Sequence, residues 1–159
     1  MNDKELPKEL IEDSQEEKPQ KKFESLYSQV LEMSISEKIK LATIGNKEAR
    51  NLLIKDPNRL IIQAVINSPK LTDEEVISHA SNRNLSKEVT RLIAGKKEFM
   101  KNYKVKLALV QNAKTPVPTT LKLLGTLMEK DLRNLSKSKN VSTVIARTAM
   151  KMLSSRGKV

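Results

Sequence analysis

The chain has 159 residues, of which 3% are aromatic and 31% are charged, and its formal net charge is +11. Four glycines and no tryptophan leave too little turn chemistry and aromatic surface for a β-sandwich or barrel, whereas abundant Ala, Leu, Lys and Glu favour helices. The absence of cysteine excludes disulfides, thiolate metal sites, iron–sulfur clusters and cysteine nucleophiles.

Residues 1–22 are highly charged and are interrupted by two prolines. Their main apolar side chains are those of Leu6, Leu10 and Ile11, which bury too little area to offset the entropy of ordering the segment. We therefore expect a disordered, charged N-terminal tail over residues 1–22. The alternative is a short partner-binding helix around the same three apolar residues.

A helical domain is predicted over residues 23–159. Its first helix is indicated by an apolar face at helical spacing, formed by Phe23, Leu26, Tyr27, Val30 and Leu31. Ser34 and Glu37 have the spacing of a capping box, which predicts the start of the next helix. Three Xaa–Pro pairs then mark breaks, because the residue before proline is driven out of the α region. These pairs are Asp56-Pro57, Ser68-Pro69 and Thr115-Pro116.

Internal similarity indicates a repeat architecture. Residues 39–46 align with residues 105–112 and keep Lys, Leu, Ala and Asn, and a third copy begins at Ala64. Ala42, Ala64 and Ala108 are thereby spaced by 22 and then 44 residues. Short helix pairs bury their apolar faces by stacking on neighbouring pairs, so the pattern predicts an all-α superhelix. The phase is lost near residues 95–103, where we expect an irregular insertion.

The segments 64–72 and 108–116, each followed by a second apolar helix, resemble the bacterial leucine-rich repeat variant. The resemblance extends over roughly residues 36–153 and implies a right-handed α-solenoid of short helical repeats, HEAT-like in shape. The family's Asn-Pro turn stands here as Ser68-Pro69 and its Thr-Pro pair as Thr115-Pro116. The iron–sulfur cluster of some members is excluded because this chain has no cysteine. The resemblance bears on the architecture more than on activity, and in related solenoids the general implication is binding.

No pattern of reactive side chains predicts an enzyme. His79 is the single histidine, and it has no cysteine or second histidine with which to complete a metal site. Glu74 and Glu75 are adjacent, and neighbouring residues on a helix do not face each other. The glycines do not have the spacing of a phosphate-binding loop. We therefore expect a protein without catalytic, metal or cofactor site.

Positive charge is concentrated in the C-terminal part, where residues 95–159 hold fifteen Lys or Arg and three acidic residues. Helical spacing places several of these cations in rows, which define a candidate partner-binding surface. Its residues are Lys122, Lys130, Arg133, Lys137, Arg147 and Lys151. The alternative interpretation is that these side chains only solvate the outer faces of the helices.

Two functions fit a basic helical repeat protein. The first is a non-catalytic scaffold for protein–protein interaction, which we prefer. The second is binding to the phosphate backbone of a nucleic acid, although the chain has few aromatic side chains for base stacking. The first thirty residues lack the apolar core of a signal peptide, and no apolar run approaches the ~20 residues needed to span a bilayer. We therefore expect a cytoplasmic protein without membrane insertion.

Overall fold

A computed structural model of the chain describes residues 5–13 and 20–157, apart from the side chains of Lys21 and Phe23. In these ranges all regular structure is helical: a short 3-10 helix at Lys8–Leu10 precedes eleven α-helices, and strands are absent. The all-α prediction is confirmed. Where the sequence predicts one domain from residue 23, the chain divides into two compact units, one ending at Thr72 and the other beginning at Asp73.

Unit 1 contains the 3-10 helix and four α-helices: α1 (Gln20–Leu31), α2 (Ile35–Ile44), α3 (Lys47–Leu53) and α4 (Arg59–Ile66). Helix α2 packs against α3 and α4. Leu41 and Ala42 of α2 are completely buried, as are most apolar side chains of α4. A largely buried ion pair between Lys38 Nζ and Asp56, 2.8 Å apart, joins α2 to the turn before α4.

The boundaries predicted at Ser34 and at the two Xaa–Pro pairs of unit 1 agree with the structure, whereas α1 begins at Gln20, three residues before the predicted start of the helical domain. The Ser34 hydroxyl accepts a hydrogen bond from the Glu37 N–H at 3.2 Å, as the capping box requires. Helices α3 and α4 end before Asp56-Pro57 and Ser68-Pro69. The apolar face of α1 is narrower than predicted, because Leu26 and Val30 are buried whereas 43% of Tyr27 and 58% of Leu31 are exposed. The side chain of Phe23 lies outside the described atoms.

Residues 5–13 differ from the expected disordered tail. Leu10 is completely buried, and its carbonyl accepts a hydrogen bond from the Asn46 N–H at 2.7 Å. One buried leucine and several bonded carbonyls therefore order a segment whose overall composition favours disorder. Residues 1–4 and 14–19, the rest of the predicted tail before α1, lie outside the described residues.

Unit 2 contains the remaining seven helices. They are α5 (Asp73–Ser81), α6 (Lys87–Ala94), α7 (Lys97–Met100), α8 (Tyr103–Gln111), α9 (Val117–Leu124), α10 (Glu129–Lys137) and α11 (Thr143–Ser155). Helix α5 packs on α8, and α10 packs extensively on α11. Residues 95–103, where the sequence predicts an irregular insertion, contain α7, a single turn without a buried residue.

The three alanines of the sequence repeat do not share one environment. Ala42 in α2 and Ala108 in α8 are buried. Ala64 in α4 is only half-buried. The aligned alanines of the three copies are therefore not equally buried.

Candidate partner-binding surface

The six predicted surface residues lie on three successive helices of unit 2, and all six side chains are exposed. Helix α9 carries one, α10 carries three and α11 carries two, in the order Lys122, then Lys130, Arg133 and Lys137, then Arg147 and Lys151. Helix α11 packs against both α9 and α10. The structure thus places the six residues on neighbouring helices of one unit.

The apolar pattern of α10 determines which way its cations point. Leu132 and Leu135 are buried in the core cluster that α10 forms with α11. At 100° per residue, Lys130 and Lys137 project from the opposite side of the helix. The buried leucines therefore hold a basic face toward solvent.

Helix α11 follows the same logic. Ile145, Ala149 and Leu153 are buried at four-residue intervals, so one stripe of the helix faces the core. Arg147 and Lys151, also four residues apart, lie on the outer side. The start of the helix is fixed by Ser142, whose hydroxyl accepts a hydrogen bond from the Ile145 N–H at 3.4 Å.

Most of the charge on this surface is uncompensated. Arg133 forms an exposed ion pair with Glu129, with Nη2 and Oε1 separated by 2.7 Å. Within the described part of the chain, the other five cations have no ion-pair or hydrogen-bond partner. An exposed pair such as that of Arg133 contributes little to stability and is screened by salt. Five free cations remain to attract an anionic partner.

The division into units sharpens the charge asymmetry found in the sequence. Residues 1–72 contain twelve Lys or Arg and twelve Asp or Glu, so their net charge is zero. Residues 73–159 contain eighteen Lys or Arg and seven Asp or Glu, a net charge of +11. The whole net charge of the protein therefore belongs to unit 2. A charge of this size produces a positive potential that attracts acidic ligands.

Tyr103 anchors the beginning of α10, an arrangement that the sequence does not predict. Its hydroxyl donates to the Asp131 carboxylate at 2.5 Å and accepts from the Met128 N–H at 3.0 Å. Burial, together with the hydrogen bond to Asp131, raises the pKa of the Tyr103 phenol. The bonds join residues more than twenty positions apart, which no local pattern reveals.

A polar cleft of about 280 Å³ lies at the C-terminal ends of α8 and α10. It has no carboxylate in its lining, which consists of Arg83, Gln111, Asn134, Leu135, Ser138, Asn140 and Val141. Arg83 donates to the Gln111 carbonyl at 3.3 Å. Among the described residues, the side-chain amides of Gln111, Asn134 and Asn140 have no hydrogen-bond partner. These amides line the cleft with groups that both donate and accept hydrogen bonds.

Other side chains with reactive potential are part of the core. His79 and Glu75 lie four residues apart on α5 and are 4% and 2% exposed. Among the described residues, no group of three or more His, Asp or Glu is arranged to hold a metal ion. No helix in those residues is long and apolar enough to cross a membrane.

Comparison with known proteins adds no identity to this geometry. No protein-family model matches the chain, and no match was found among curated proteins or solved structures. The resemblance to the leucine-rich repeat variant therefore depends on the sequence segments alone. The exposed cations of α9, α10 and α11 are therefore the features of the molecule that bear on its function.

Proposed function

We propose that this protein is a non-catalytic interaction scaffold that binds an acidic partner protein through the basic faces of α9, α10 and α11. The observation that supports this function best is the set of five unpaired, exposed cations on adjacent helices of a unit with net charge +11. Complementary charge across an interface accelerates encounter and sets orientation. The rigid helices that carry the cations favour this role, because their side chains are presented without prior ordering of a loop.

The proposal includes a repeat architecture, a right-handed HEAT-like solenoid related to the leucine-rich repeat variant. Two aligned asparagines support it. Asn46 and Asn112 are 6% and 3% exposed, and each donates its side-chain amide to main-chain carbonyls of an earlier segment. Equal roles at equal repeat positions are what a duplicated structural unit produces.

A protein partner is preferred over a nucleic acid because of the polar cleft and the scarcity of aromatic side chains. Free amides in the cleft suit the alternating donors and acceptors of a peptide main chain. Unit 2 contains only two aromatic residues, Phe99 and Tyr103. The hydroxyl of Tyr103 is held by Asp131, and the Phe99 ring lies 5.3 Å from the Lys96 ammonium. Little remains for base stacking, although the same cations fit a phosphate backbone, which is the second candidate.

The first prediction concerns charge reversal on α10. Changing Lys130, Arg133 and Lys137 together to Glu should lower affinity for the partner at least about tenfold, or about 1.4 kcal/mol, by replacing attraction with repulsion. The fold should persist because exposed helix charges each alter stability by only ~0.5 kcal/mol. A matched control changes Lys40, Lys47 and Lys55, which are exposed in unit 1, to Glu. The control should bind as the wild type does.

The measurement is a pull-down from native lysate with and without nuclease, followed by titration of the purified partner. Nuclease-resistant capture that the α10 variant loses and the control retains supports the scaffold. Capture abolished by nuclease, with a salt slope reduced by roughly one per phosphate contact removed, selects the nucleic-acid candidate instead. Equal binding by the α10 variant and the wild type contradicts both functions for this surface.

A further inference from the structure

The side chain of Asn46 forms hydrogen bonds with the main chain of the N-terminal residues 5–13. Its amide group donates to the Glu9 carbonyl at 2.9 Å and to the Glu12 carbonyl at 2.8 Å. Its own N–H donates to the Leu10 carbonyl at 2.7 Å. Its side-chain oxygen meanwhile accepts from the Ala49 N–H at 3.1 Å and so caps α3. Asn46 therefore binds carbonyls at the end of the N-terminal 3-10 turn and also caps the start of α3.

The walls of this site fit the segment closely. Leu10 is the one residue of the described segment 5–13 that is completely buried. A Cβ added to Gly45 would clash with the Leu41 carbonyl oxygen and lie 2.7 Å from Ala49 Cβ, so the turn between α2 and α3 requires glycine, and the same Cβ would lie 3.1 Å from the Leu10 carbonyl oxygen. The Gly45 carbonyl is in turn fixed by buried Arg50, whose Nη1 donates to it at 2.8 Å. The site is thus built from buried side chains of unit 1.

Unit 2 contains a related arrangement, in which the side-chain amide of an aligned asparagine binds carbonyls of a different segment. Asn112, which aligns with Asn46 in the repeat, donates its amide to the Ala80 carbonyl at 2.8 Å and to the Asn82 carbonyl at 3.4 Å. There the Ala80 carbonyl belongs to the last turn of α5, a helix of nine residues, and the Asn82 carbonyl follows that helix directly. In unit 1 a single 3-10 turn fills the corresponding position. The side-chain amide of Asn46 therefore binds the carbonyl groups at the end of a helical turn.

Among the described residues 5–13, the buried anchor of the segment in unit 1 is Leu10. Apart from Leu10, every described residue of the segment is half-buried or exposed. An ion pair between Glu9 and Lys22 spans 3.6 Å, and both side chains are more than a third exposed, so it adds little. A buried leucine and main-chain carbonyls are contacts that a helical turn of another protein can also offer.

We propose that the Asn46 site is a peptide-recognition site that residues 5–13 occupy in cis. It takes one helical turn that presents a leucine and uncapped main-chain carbonyls, and a leucine-bearing turn of a partner protein competes with the chain's own segment. This site is in unit 1 and does not depend on the basic surface of unit 2. Release of residues 5–13 is the step that makes it available.

The second prediction tests the site in the full chain, with a labelled synthetic peptide of residues 5–13 as the probe. Leu10→Lys should release the cis segment and raise peptide affinity at least about tenfold over the wild type, because the internal competitor is removed. Adding Asn46→Asp should cancel the gain. The aspartate keeps an oxygen to cap α3 but replaces the amide donor that binds the Glu9 and Glu12 carbonyls. Asn67→Asp, at an exposed position after α4, is the matched control and should leave the gain intact.

Two results would overturn the proposal. One is a folded Leu10→Lys chain, with wild-type circular dichroism, that binds the peptide no better than the wild type. The other is loss of cooperative unfolding in both Leu10→Lys and the milder Leu10→Ala, which would make the segment an integral part of the core rather than a displaceable ligand. Fluorescence anisotropy and thermal melts distinguish these results from the expected one.

Discussion

Tyr103 has a larger structural role than its position at the first residue of α8 indicates. Its hydroxyl both donates to Asp131 and accepts from the Met128 N–H, so one oxygen joins the start of α8 to the start of α10. Helix α10 carries Lys130 and Lys137, whose direction depends on how its first turn is held. Tyr103 therefore positions the basic surface without belonging to it.

The third prediction is that Tyr103→Phe lowers the free energy of unfolding by about 1 kcal/mol at neutral pH, since both partners lose the hydroxyl. The pKa of Tyr103 is raised in the folded state, so its contribution is fully present below the unfolded value of about 10. It is lost as the pH rises through the folded pKa. Urea unfolding should show the difference between the two proteins shrinking as the pH rises above about 10. A difference that stays constant over this range would mean that the phenol proton does not stabilise the fold.

Residue-scale contacts were the least accessible to sequence analysis. The exposure of all six basic residues could be predicted, because helical periodicity alone separates them from buried leucines such as Leu132. The bonds of Tyr103 and the polar cleft could not, because they join residues that are distant in sequence. The repeat alignment did contain Asn46 and Asn112. Only the structure shows that the side-chain amide of each donates to a main-chain carbonyl near the end of a helical turn.

At the scale of elements, local sequence rules predicted where helices end better than they predicted whether the N-terminal segment is ordered. Capping at Ser34 and breaks at proline follow from interactions within a few residues, so the sequence contains all that is needed. Residues 5–13 are ordered instead because the Leu10 side chain packs completely buried within unit 1. Composition measures the average burial of a segment and is blind to one side chain that fits a specific cavity.

The fourth prediction uses the unequal burial of the repeat alanines. Ala42→Glu should cost more than about 4 kcal/mol and prevent folding of unit 1, because a carboxylate at a completely buried position has neither water nor a partner. Ala64→Glu, at a half-buried position, should cost less because its carboxylate can reach solvent. Thermal melts followed by circular dichroism compare the two. Equal destabilisation would show that the contacts around α2 and α4 are wrongly assigned.

At the scale of the whole molecule, charge distinguishes the two units more than secondary structure does. Both are helical, yet one is neutral and the other carries the net charge of +11. Like charges on one compact unit repel each other, and added salt screens that repulsion beyond a Debye length of about 10 Å at 0.1 M. Unit 2 is therefore the part whose stability responds to ionic strength.

The fifth prediction is that salt increases the hydrogen-exchange protection of buried helical amides in unit 2, such as that of Leu109, more than that of Leu41 in unit 1. Screening relieves repulsion only where charge is in excess. Native-state exchange at low and moderate sodium chloride measures both amides in one sample. A parallel response of the two units would argue against an electrostatic cost in unit 2.

The bonds between separate segments also bear on how the chain folds during its synthesis. Asn46 reaches back 37 residues to Glu9, Asn112 reaches back 32 to Ala80, and Arg156 reaches back 29 to Leu127. Contacts over such short separations form quickly, because little loop entropy is lost before they close. A ribosome adds about 5–20 residues per second, so each closing residue emerges within seconds of its partner. We expect unit 1 to fold while unit 2 is still being translated, so that the neutral part of the molecule is complete before the cationic part appears.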